Sequence, residues 1–224
     1  MRCCLCQRPL TQSWSLKLLL SAEPLVPPSL CSECRGGFTV IDQENICAGC
    51  GRPLVDRLCS DCQYWQQRDG ISLHNRAVYH YNDNLKDLMH QYKAVGDYRL
   101  HVAFQSDLMG LCRRVGRLVP LTTEPEHFAR RGFDPVLGLF GHLPLWPCLA
   151  KGNTDQPQAR KKRGARLRTP QSFTCTATLS ELQRVKHICL VDDLYTTGTT
   201  LHHAAAALRD AGYRGQITSR TLIR

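Results

Sequence analysis

The sequence predicts an α/β protein with an open, mostly parallel sheet, preceded by a small cysteine-rich module. Nine of the thirteen cysteines lie within the first 62 residues. Segments of strand and helix character alternate from residue 76 onward, which is typical of parallel α/β folds. HICLV (187–191) is a continuous apolar run, as expected of a central parallel strand. We therefore expect a cysteine-rich module over residues 1–70 and an α/β domain over residues 76–224.

Composition and charge narrow the class of protein. With 224 residues and 42% hydrophobic content, the chain can bury one core and a small accessory module. LKLLL (16–20) is too short for a membrane span and contains Lys17, and the N-terminus lacks a signal-peptide pattern. We therefore expect a cytoplasmic protein without a membrane span. The net charge of +10 arises from residues 76–224, which hold twenty-two basic and twelve acidic residues. Such a domain suits a phosphorylated small molecule or a nucleic acid.

Four CxxC pairs organise the N-terminal module. Two residues between thiolates allow both sulfurs to face one ion, and two such pairs complete a tetrahedral Zn²⁺ site. Pairing in chain order predicts two zinc-ribbon-like sites, the first made by Cys3, Cys6, Cys31 and Cys34, and the second by Cys47, Cys50, Cys59 and Cys62. Interleaved pairing would use the same residues, and Cys4 could replace Cys3. Because four thiolates leave no open coordination position, we expect a structural role for both ions rather than a catalytic one.

The first half of the α/β domain begins with RAVYHY (76–81), which has strand character. Asn82 or Asp83 can cap a helix whose apolar residues recur at helical spacing: Leu85, Leu88, Met89 and Tyr92. A second helix is expected near 99–115. RLVPL (117–121) predicts a short buried strand, and TTEPEHFARRGF (122–133) predicts a loop.

The second half continues the alternation. Asp134 is expected to cap a helix that has Pro135 in its first turn, and LWPCL (145–149) to form a strand. Residues 151–172 are polar and basic and predict a long loop. The strand HICLV is followed by the helix TTLHHAAAALRDAG, which stops at Gly212, and QITSRTLI (216–223) predicts the last strand.

The stretch ICLVDDLYTTGTTL (188–201) predicts a ligand site. In open α/β sheets, ligands bind beyond the carboxyl ends of strands, where the next helix begins. We expect the strand to end at Val191, residues 192–198 to form a turn, and the helix to begin at Thr199. Backbone amides of residues 196–200 can converge on an anion there. The adjacent carboxylates of Asp192 and Asp193 accept hydrogen bonds only, which suits neighbouring sugar hydroxyls. Together these features predict a site for a sugar with a terminal phosphate.

LVDD followed by YTTGTT resembles the signature of the type I phosphoribosyltransferases, which bind 5-phosphoribosyl-1-pyrophosphate (PRPP). The resemblance implies an open sheet of that fold type, and it implies that Asp192 and Asp193 are the catalytic residues that hold the ribose hydroxyls. It also implies that the 5′-phosphate is wrapped by Thr196, Thr197, Gly198, Thr199 and Thr200. Mg²⁺ is expected to accompany PRPP.

Over nearly the full length, the chain resembles the ComF/GntX family, which couples a double zinc module to a phosphoribosyltransferase-like domain. The resemblance rests on the four CxxC pairs, then YHYNDNLKDLMHQYKAVGD, VPL…RRGFD and LVDDLYTTGTTL, in that order. Members of the family are implicated in competence and in the use of external DNA as a nutrient. The resemblance therefore implies single-stranded DNA or DNA-uptake proteins as further partners. It leaves open whether this chain transfers the phosphoribosyl group or serves as a non-catalytic adaptor or PRPP sensor.

Two departures from the family pattern affect the pyrophosphate side of the site. Asp134 stands where the family usually has Asn. Leu121 is followed by Thr122, Thr123, Glu124 and Glu126, whereas basic residues are common there in the family. Acids at this position weaken pyrophosphate binding by like-charge repulsion. Arg130, Arg131 and Lys93 remain available to the anion. The motif therefore supports phosphoribosyl binding more strongly than catalytic turnover.

QARKKRGARLR (158–168) is a run of six basic residues. We favour a flexible hood that closes over the substrate and excludes water. A solvated loop is the second interpretation, and contact with a nucleic-acid backbone is the third.

Overall fold

The computed structural model describes residues 1–10, 20, 28–53, 57–70, 73–152 and 171–224. The strands of the described chain are β1 (His74–Tyr79), β2 (Arg117–Pro120), β3 (Leu149–Lys151), β4 (Phe173–Cys175), β5 (His187–Leu194) and β6 (Gln216–Ile223). Four of them form a parallel sheet in the order β1-β6-β5-β2. β3 and β4 form a separate antiparallel hairpin. The predicted α/β class with a mostly parallel sheet is confirmed, while its assignment to the type I phosphoribosyltransferase fold stays a prediction.

Short helices connect the strands. They are α1 (Ser32–Gly36), α2 (Ser60–Asp69), α3 (Asp83–His90), α4 (Gln105–Leu111), α5 (Pro125–Arg131), α6 (Pro135–Phe140), α7 (Leu179–Gln183) and α8 (Thr199–Asp210). A π-helical turn (Gln91–Val95) extends α3, and a 3-10 helix (Tyr98–Phe104) precedes α4. The predicted cap of α3 is confirmed, because the Asn82 side chain accepts a hydrogen bond from the Leu85 amide at 3.0 Å. None of the helices in the described part of the chain is long and apolar enough to cross a membrane.

The sheet separates two hydrophobic cores. Successive residues of a strand point to opposite faces, and in β2 Leu118 enters one core while Val119 enters the other. Helices α3, α4 and α6 contribute to the first core, and α8 and the β3–β4 hairpin contribute to the second. The cysteine-rich segment contributes to both, with Cys3 in the first core and the set from Cys47 to Cys62 in the second. Each half of that segment is therefore packed on its own face of the sheet.

Several predicted boundaries are wrong. TTEPEHFARRGF is not all loop, because Pro125 begins α5 and Gly132 ends it with a left-handed φ of 83°. The strand expected over 145–149 lies at Leu149–Lys151 instead, and Leu145 makes only an isolated bridge to Leu118. The strand expected to end at Val191 continues to Leu194, because pairing with β6 extends through Ile223. Burial against the rest of the fold sets these boundaries, and local sequence does not encode it.

The remaining differences concern length and coverage. The helix expected near 99–115 is divided into the 3-10 helix and α4. The helix α8 begins at Thr199 as predicted. The basic run 158–168 and all but the last residue of LKLLL (16–20) lie outside the described residues.

Candidate functional site

The cysteines form two clusters that match the pairing in chain order. The first cluster consists of Cys3, Cys6, Cys31 and Cys34, and the second of Cys47, Cys50, Cys59 and Cys62; within each, the sulfurs lie within 4.8 Å of one another. In the second cluster, the distance between the two Sγ atoms is 3.7 Å for Cys47 and Cys62 and 3.5 Å for Cys50 and Cys59. A tetrahedral Zn²⁺ with bonds of ~2.3 Å places its sulfurs roughly 3.8 Å apart. Each cluster therefore has the donors and the spacing to hold one zinc ion.

Backbone amides support the thiolates in both clusters. The Cys34 amide donates to the Cys31 sulfur at 3.4 Å, and the Cys59 amide donates to the Cys47 sulfur at 3.3 Å. Such outer hydrogen bonds orient metal ligands and offset part of their negative charge. The two clusters differ in access, because Cys6 is exposed whereas all four cysteines of the second cluster are buried. We therefore expect the second ion to exchange more slowly than the first.

The predicted acidic pair lies at the carboxyl end of β5. Asp192 and Asp193 are 9% and 6% exposed, and the Asp193 amide donates to the Asp192 carboxylate at 2.9 Å. Burial raises the pKa of the Asp192 carboxyl to about 7, against the opposing effect of Lys93 and Lys151. A carboxyl group whose pKa lies near neutral pH gains or loses its charge in response to a small change in its surroundings. Groups with pKa values shifted in this way are common at functional sites.

The turn after β5 joins this acidic pair to the N-terminus of α8. Gly198 has φ 81° and ψ −3°, a left-handed conformation that glycine adopts without strain. Thr197 and Thr199 are buried, and their hydroxyls lie 2.9 Å apart within hydrogen-bonding distance. Thr196 and Thr200 are half-buried. The turn therefore uses two threonines for its own structure and leaves the other two accessible.

A cleft of about 530 Å³ lies in front of the acidic pair and the turn. Among its walls are seven of the predicted site residues: Asp192, Asp193, Thr196, Thr200, Lys93, Arg130 and Arg131. Thr197, Gly198 and Thr199 belong to the turn but are not part of the cleft wall. The structure therefore brings the acids, the turn and the predicted cations together around one space.

Lys93 is held inside this cleft by its neighbours. Its ammonium group forms an ion pair with the Asp193 carboxylate, and its carbonyl accepts a hydrogen bond from Arg131 Nε at 2.7 Å. Although 31% of the Lys93 side chain is exposed, burial lowers the pKa of its ammonium group to about 8, against the attraction of Asp192. In this state the Lys93 ammonium group occupies part of the hydrogen-bond acceptor capacity of the Asp193 carboxylate.

The segment that follows β2 carries two acidic residues, Glu124 and Glu126, and the charge of Glu124 is balanced by its neighbours. Glu124 is 3% exposed, and its carboxylate lies 3.3 Å from Lys151 Nζ and 4.0 Å from His127 Nε2. Glu126 is exposed and is absent from the cleft wall. A buried carboxylate beside a lysine repels an anion less than an isolated one does. This segment therefore repels an anion in the cleft less strongly than its two glutamates indicate.

Asp134 acts as a structural acceptor behind the cleft. Its carboxylate accepts hydrogen bonds from the Thr123 amide and, at 2.8 and 2.9 Å, from the Val136 and Leu137 amides. It therefore caps α6, as predicted, and also fixes the loop after β2.

The cleft contains residues that the sequence analysis missed. Lys151, His127 and Tyr81 all line it. Lys151 comes from the end of β3, so its place depends on the pairing of β3 with β4 and has no local sequence signal. His127 could have been found only if α5 had been recognised as a helix.

The chain is similar to known proteins over nearly its full length. No protein-family model matches the chain. The chain is 34% identical over 238 residues to the competence protein ComFC of Bacillus subtilis, covering 99% of this chain and 94% of the relative. It is 32% identical over 221 residues to the competence protein ComFC of Streptococcus pneumoniae, covering 95% of each chain.

Proposed function

The chain belongs to the ComF family, and from this premise we propose that it binds PRPP in the service of competence or of the use of external DNA. The observation that carries the proposal is the single cleft that combines the acidic pair Asp192 and Asp193 with the turn before α8. The two halves suit the two ends of a phosphoribosyl group, because carboxylates accept hydrogen bonds from hydroxyls and a helix N-terminus attracts a phosphate.

The acidic pair faces the ribose in this proposal. Both carboxylates end the same strand and are buried at the cleft wall. Binding of the ribose requires the ion pair between Lys93 and Asp193 to open, which frees the ammonium group to move toward the pyrophosphate. Mg²⁺ prefers oxygen ligands and is commonly held by one or two carboxylates together with substrate phosphates. Asp192 and Asp193 supply such carboxylates.

The cations of the cleft face the pyrophosphate. Lys93, Arg130, Arg131 and Lys151 provide four positive charges along one cleft, and Lys151 also offsets Glu124 at 3.3 Å. Burial lowers the pKa of Arg131 as well as that of Lys93, and repulsion from neighbouring cations adds to the effect at both residues. An incoming pyrophosphate relieves this repulsion.

Transfer of the phosphoribosyl group is the catalytic extension of the proposal. A nucleophile on an acceptor forms a bond to the ribose anomeric carbon, while the bond from that carbon to the pyrophosphate oxygen breaks and its electron pair leaves with pyrophosphate. Positive charge develops on the ribose during this exchange, and nearby carboxylates stabilise it. In this proposal Asp192 and Asp193 supply these carboxylates, since both line the cleft.

Calorimetry with Mg-PRPP tests the binding step. We expect wild-type protein to bind and the Asp192→Asn/Asp193→Asn variant to lose at least about tenfold in affinity, since charge-assisted hydrogen bonds to two hydroxyls are lost. Asp210→Asn, at the exposed opposite end of α8, is the matched control and should bind as wild type does. Absence of binding by wild type, or equal binding by the double variant, would refute the proposal.

A second candidate function is a non-catalytic adaptor that binds single-stranded DNA. The observation in its favour is the excess of basic over acidic residues in the segment 76–224, twenty-two against twelve. Phosphate contacts make such binding steeply dependent on salt. The test is single-stranded DNA affinity at several salt concentrations, before and after neutralisation of the basic residues from Arg160 to Arg168. Unchanged affinity and salt dependence in that variant would contradict this function.

A further inference from the structure

The second cysteine cluster is attached directly to the turn that precedes α8. The helix α2 begins immediately after Cys59 and contains Cys62. Three residues after Cys62, Trp65 is fully buried and donates from its indole Nε1 to the Thr197 carbonyl at 2.7 Å. The indole also stacks on His202 of α8, with ring centroids 4.3 Å apart and planes within 8°. Trp65 thus connects a metal-ligating helix to both the turn and the following helix.

Arg224 makes a second connection between the same two parts. On one side, its guanidinium donates to the Cys50 carbonyl at 3.1 Å and to the Cys50 sulfur at 2.9 Å. On the other side, it donates to the carbonyls of Tyr195 at 3.2 Å and Thr196 at 3.1 Å. It also lies 4.7 Å from the centroid of the Tyr195 ring. One side chain therefore bridges a ligand of the second cluster and the start of the turn.

These contacts bind three successive carbonyl groups of the turn, those of Tyr195, Thr196 and Thr197. In a trans peptide the carbonyl of one residue and the amide of the next point in opposite directions. Fixing the three carbonyls toward the second cluster consequently turns the amides of residues 196, 197 and 198 away from it. They are among the amides of residues 196–200 that the sequence predicts to converge on an anion, the phosphate of the proposed ligand.

The first cluster is attached elsewhere. Arg35 in α1, next to Cys34, donates to the Asp107 carboxylate at 3.1 Å and to the Tyr79 hydroxyl at 3.3 Å. Asp107 and Tyr79 belong to α4 and β1, on the face of the sheet opposite to α8. Both clusters have four cysteine ligands, but the first is attached to α4 and β1 whereas the second is attached to the turn before α8. The first cluster therefore serves as a control for the second.

We infer that the second cluster, when it holds its metal ion, fixes the turn 195–198 in the conformation that binds a phosphate, with Trp65 and Arg224 as positioning residues. The inference rests on the proposed function for the identity of the ligand, and it makes the affinity for a phosphoribosyl ligand depend on the metal content of the second cluster. By linkage, the ligand must in turn strengthen metal binding at this cluster by the same factor.

The decisive experiment measures amide hydrogen exchange of residues 195–200 in the full-length, zinc-loaded protein. Trp65→Phe keeps an aromatic ring against His202 and all eight cysteines, but removes the bond to Thr197. We expect exchange of these amides to rise about fivefold and affinity for Mg-PRPP to fall about fivefold, the effect of one hydrogen bond. Trp146→Phe is the matched control and should change neither quantity, because Trp146 packs on Arg117, 5.0 Å from its guanidinium. Unchanged exchange in Trp65→Phe would overturn the inference.

A second pair of variants tests the role of the metal. Cys62→Ser removes a ligand of the second cluster, and Cys34→Ser removes one of the first. Faster exchange of residues 195–200 is expected only in Cys62→Ser, and equal exchange in both variants would contradict the inference. If Cys62→Ser fails to fold, zinc-loaded and chelator-treated wild-type protein are compared instead, and equal exchange of residues 195–200 in the two contradicts the inference.

Exchange without ligand separates this inference from the proposed function. A wild-type protein that does not bind Mg-PRPP refutes the proposed function, yet faster exchange in Trp65→Phe would still show that the second cluster holds the turn. Conversely, if wild type and Trp65→Phe bind Mg-PRPP equally and exchange equally, the proposed function stands and the coupling is wrong.

Discussion

Gly198→Ala should destabilise the protein more than an ordinary glycine substitution does. A methyl group at this position would overlap the Tyr195 hydroxyl and lie 2.7 Å from the Tyr195 Cζ atom. Tyr195 is only 2% exposed and is covered by Arg224, so it has little room to move. The left-handed conformation costs alanine roughly 1–2 kcal/mol, and overpacking of a buried ring adds roughly 1–3 kcal/mol. We therefore expect a loss of about 3 kcal/mol in the free energy of unfolding.

Gly132→Ala provides a matched control. Gly132 has φ 83° and ψ −5°, nearly the same as the 81° and −3° of Gly198. A methyl group there would meet no atom of the described residues within 4 Å. The control should therefore lose only the conformational part, about 1–2 kcal/mol. The difference between the two substitutions isolates the overlap with Tyr195.

Removal of the Tyr195 hydroxyl should recover part of that difference. Among the described residues this hydroxyl has no hydrogen-bond partner, so Tyr195→Phe alone should be neutral or slightly stabilising. The Gly198→Ala/Tyr195→Phe variant should regain about 1 kcal/mol, because the nearest atom is gone while the ring remains. Urea unfolding at constant zinc concentration measures all four variants. Equal losses in Gly198→Ala and Gly132→Ala, or no recovery in the double variant, would refute the reasoning.

Three further predictions concern acid sensitivity, the loop acceptor and the metal sites. Burial lowers the pKa of His202 to about 3 and that of His203 to about 4, so the unfolded chain takes up protons first as pH falls below the ordinary value of 6.5. These two histidines should therefore lower the free energy of unfolding by about 4 kcal/mol between pH 7 and pH 5, partly offset by Asp192, whose raised pKa makes the folded protein take up a proton over the same range. Urea unfolding of wild type and of His202→Phe/His203→Phe at both pH values measures the contribution of the pair, and an equal change of stability with pH in the two proteins contradicts the prediction. Three backbone amides donate to the Asp134 carboxylate, and Asp134→Asn leaves them one acceptor oxygen. We therefore expect the free energy of unfolding to fall by about 1–3 kcal/mol. Thermal unfolding measures this loss, and a Tm equal to that of wild type argues against it. Mass spectrometry should find two zinc ions per chain, and a chelator should remove them in two phases because Cys6 is exposed and the second cluster is buried. Only the slow phase should remain in Cys34→Ser, and a single phase in the wild-type protein disproves the difference in access.

Elements with a strong local signal were predictable from sequence. The apolar run of β5 and the regular apolar spacing of α3 and α8 indicate which surfaces are buried. All three elements are present in the structure. The CxxC pairs were equally informative, because two cysteines at that spacing must face the same point. The acidic pair lies within the last residues of β5 rather than after it, but its place at the carboxyl end of a buried strand, next to the turn, could be expected from the sequence.

Elements that depend on distant contacts were missed. The hairpin of β3 and β4 consists of three-residue strands, and α5 begins with a proline in a segment rich in polar residues. Helix α7 did carry a readable signal, a capping box in which Thr178 and Glu181 bond to each other's backbone amides. The roles of Trp65 and Arg224 had no such signal, because Trp65 contacts a residue 132 positions away and Arg224 one 174 positions away.

The edge position of β1 has a consequence for how the chain is assembled. In the described part of the chain, β1 pairs with one strand, β6, and its other edge carries only an isolated bridge from Val40 to Tyr79. Asn75 of β1 bonds to Thr221, 146 residues later. The second cluster, by contrast, closes over only 15 residues from Cys47 to Cys62. Contacts between distant residues form slowly, since a long loop must close before they stabilise anything. We expect zinc to bind this cluster early and the sheet to close around it late, with β1 and the indole of Trp65 uncovered meanwhile. Pulsed hydrogen exchange during refolding should therefore protect the amides around the second cluster before those of β1, and zinc supply should limit the yield of folded protein from the first steps of synthesis.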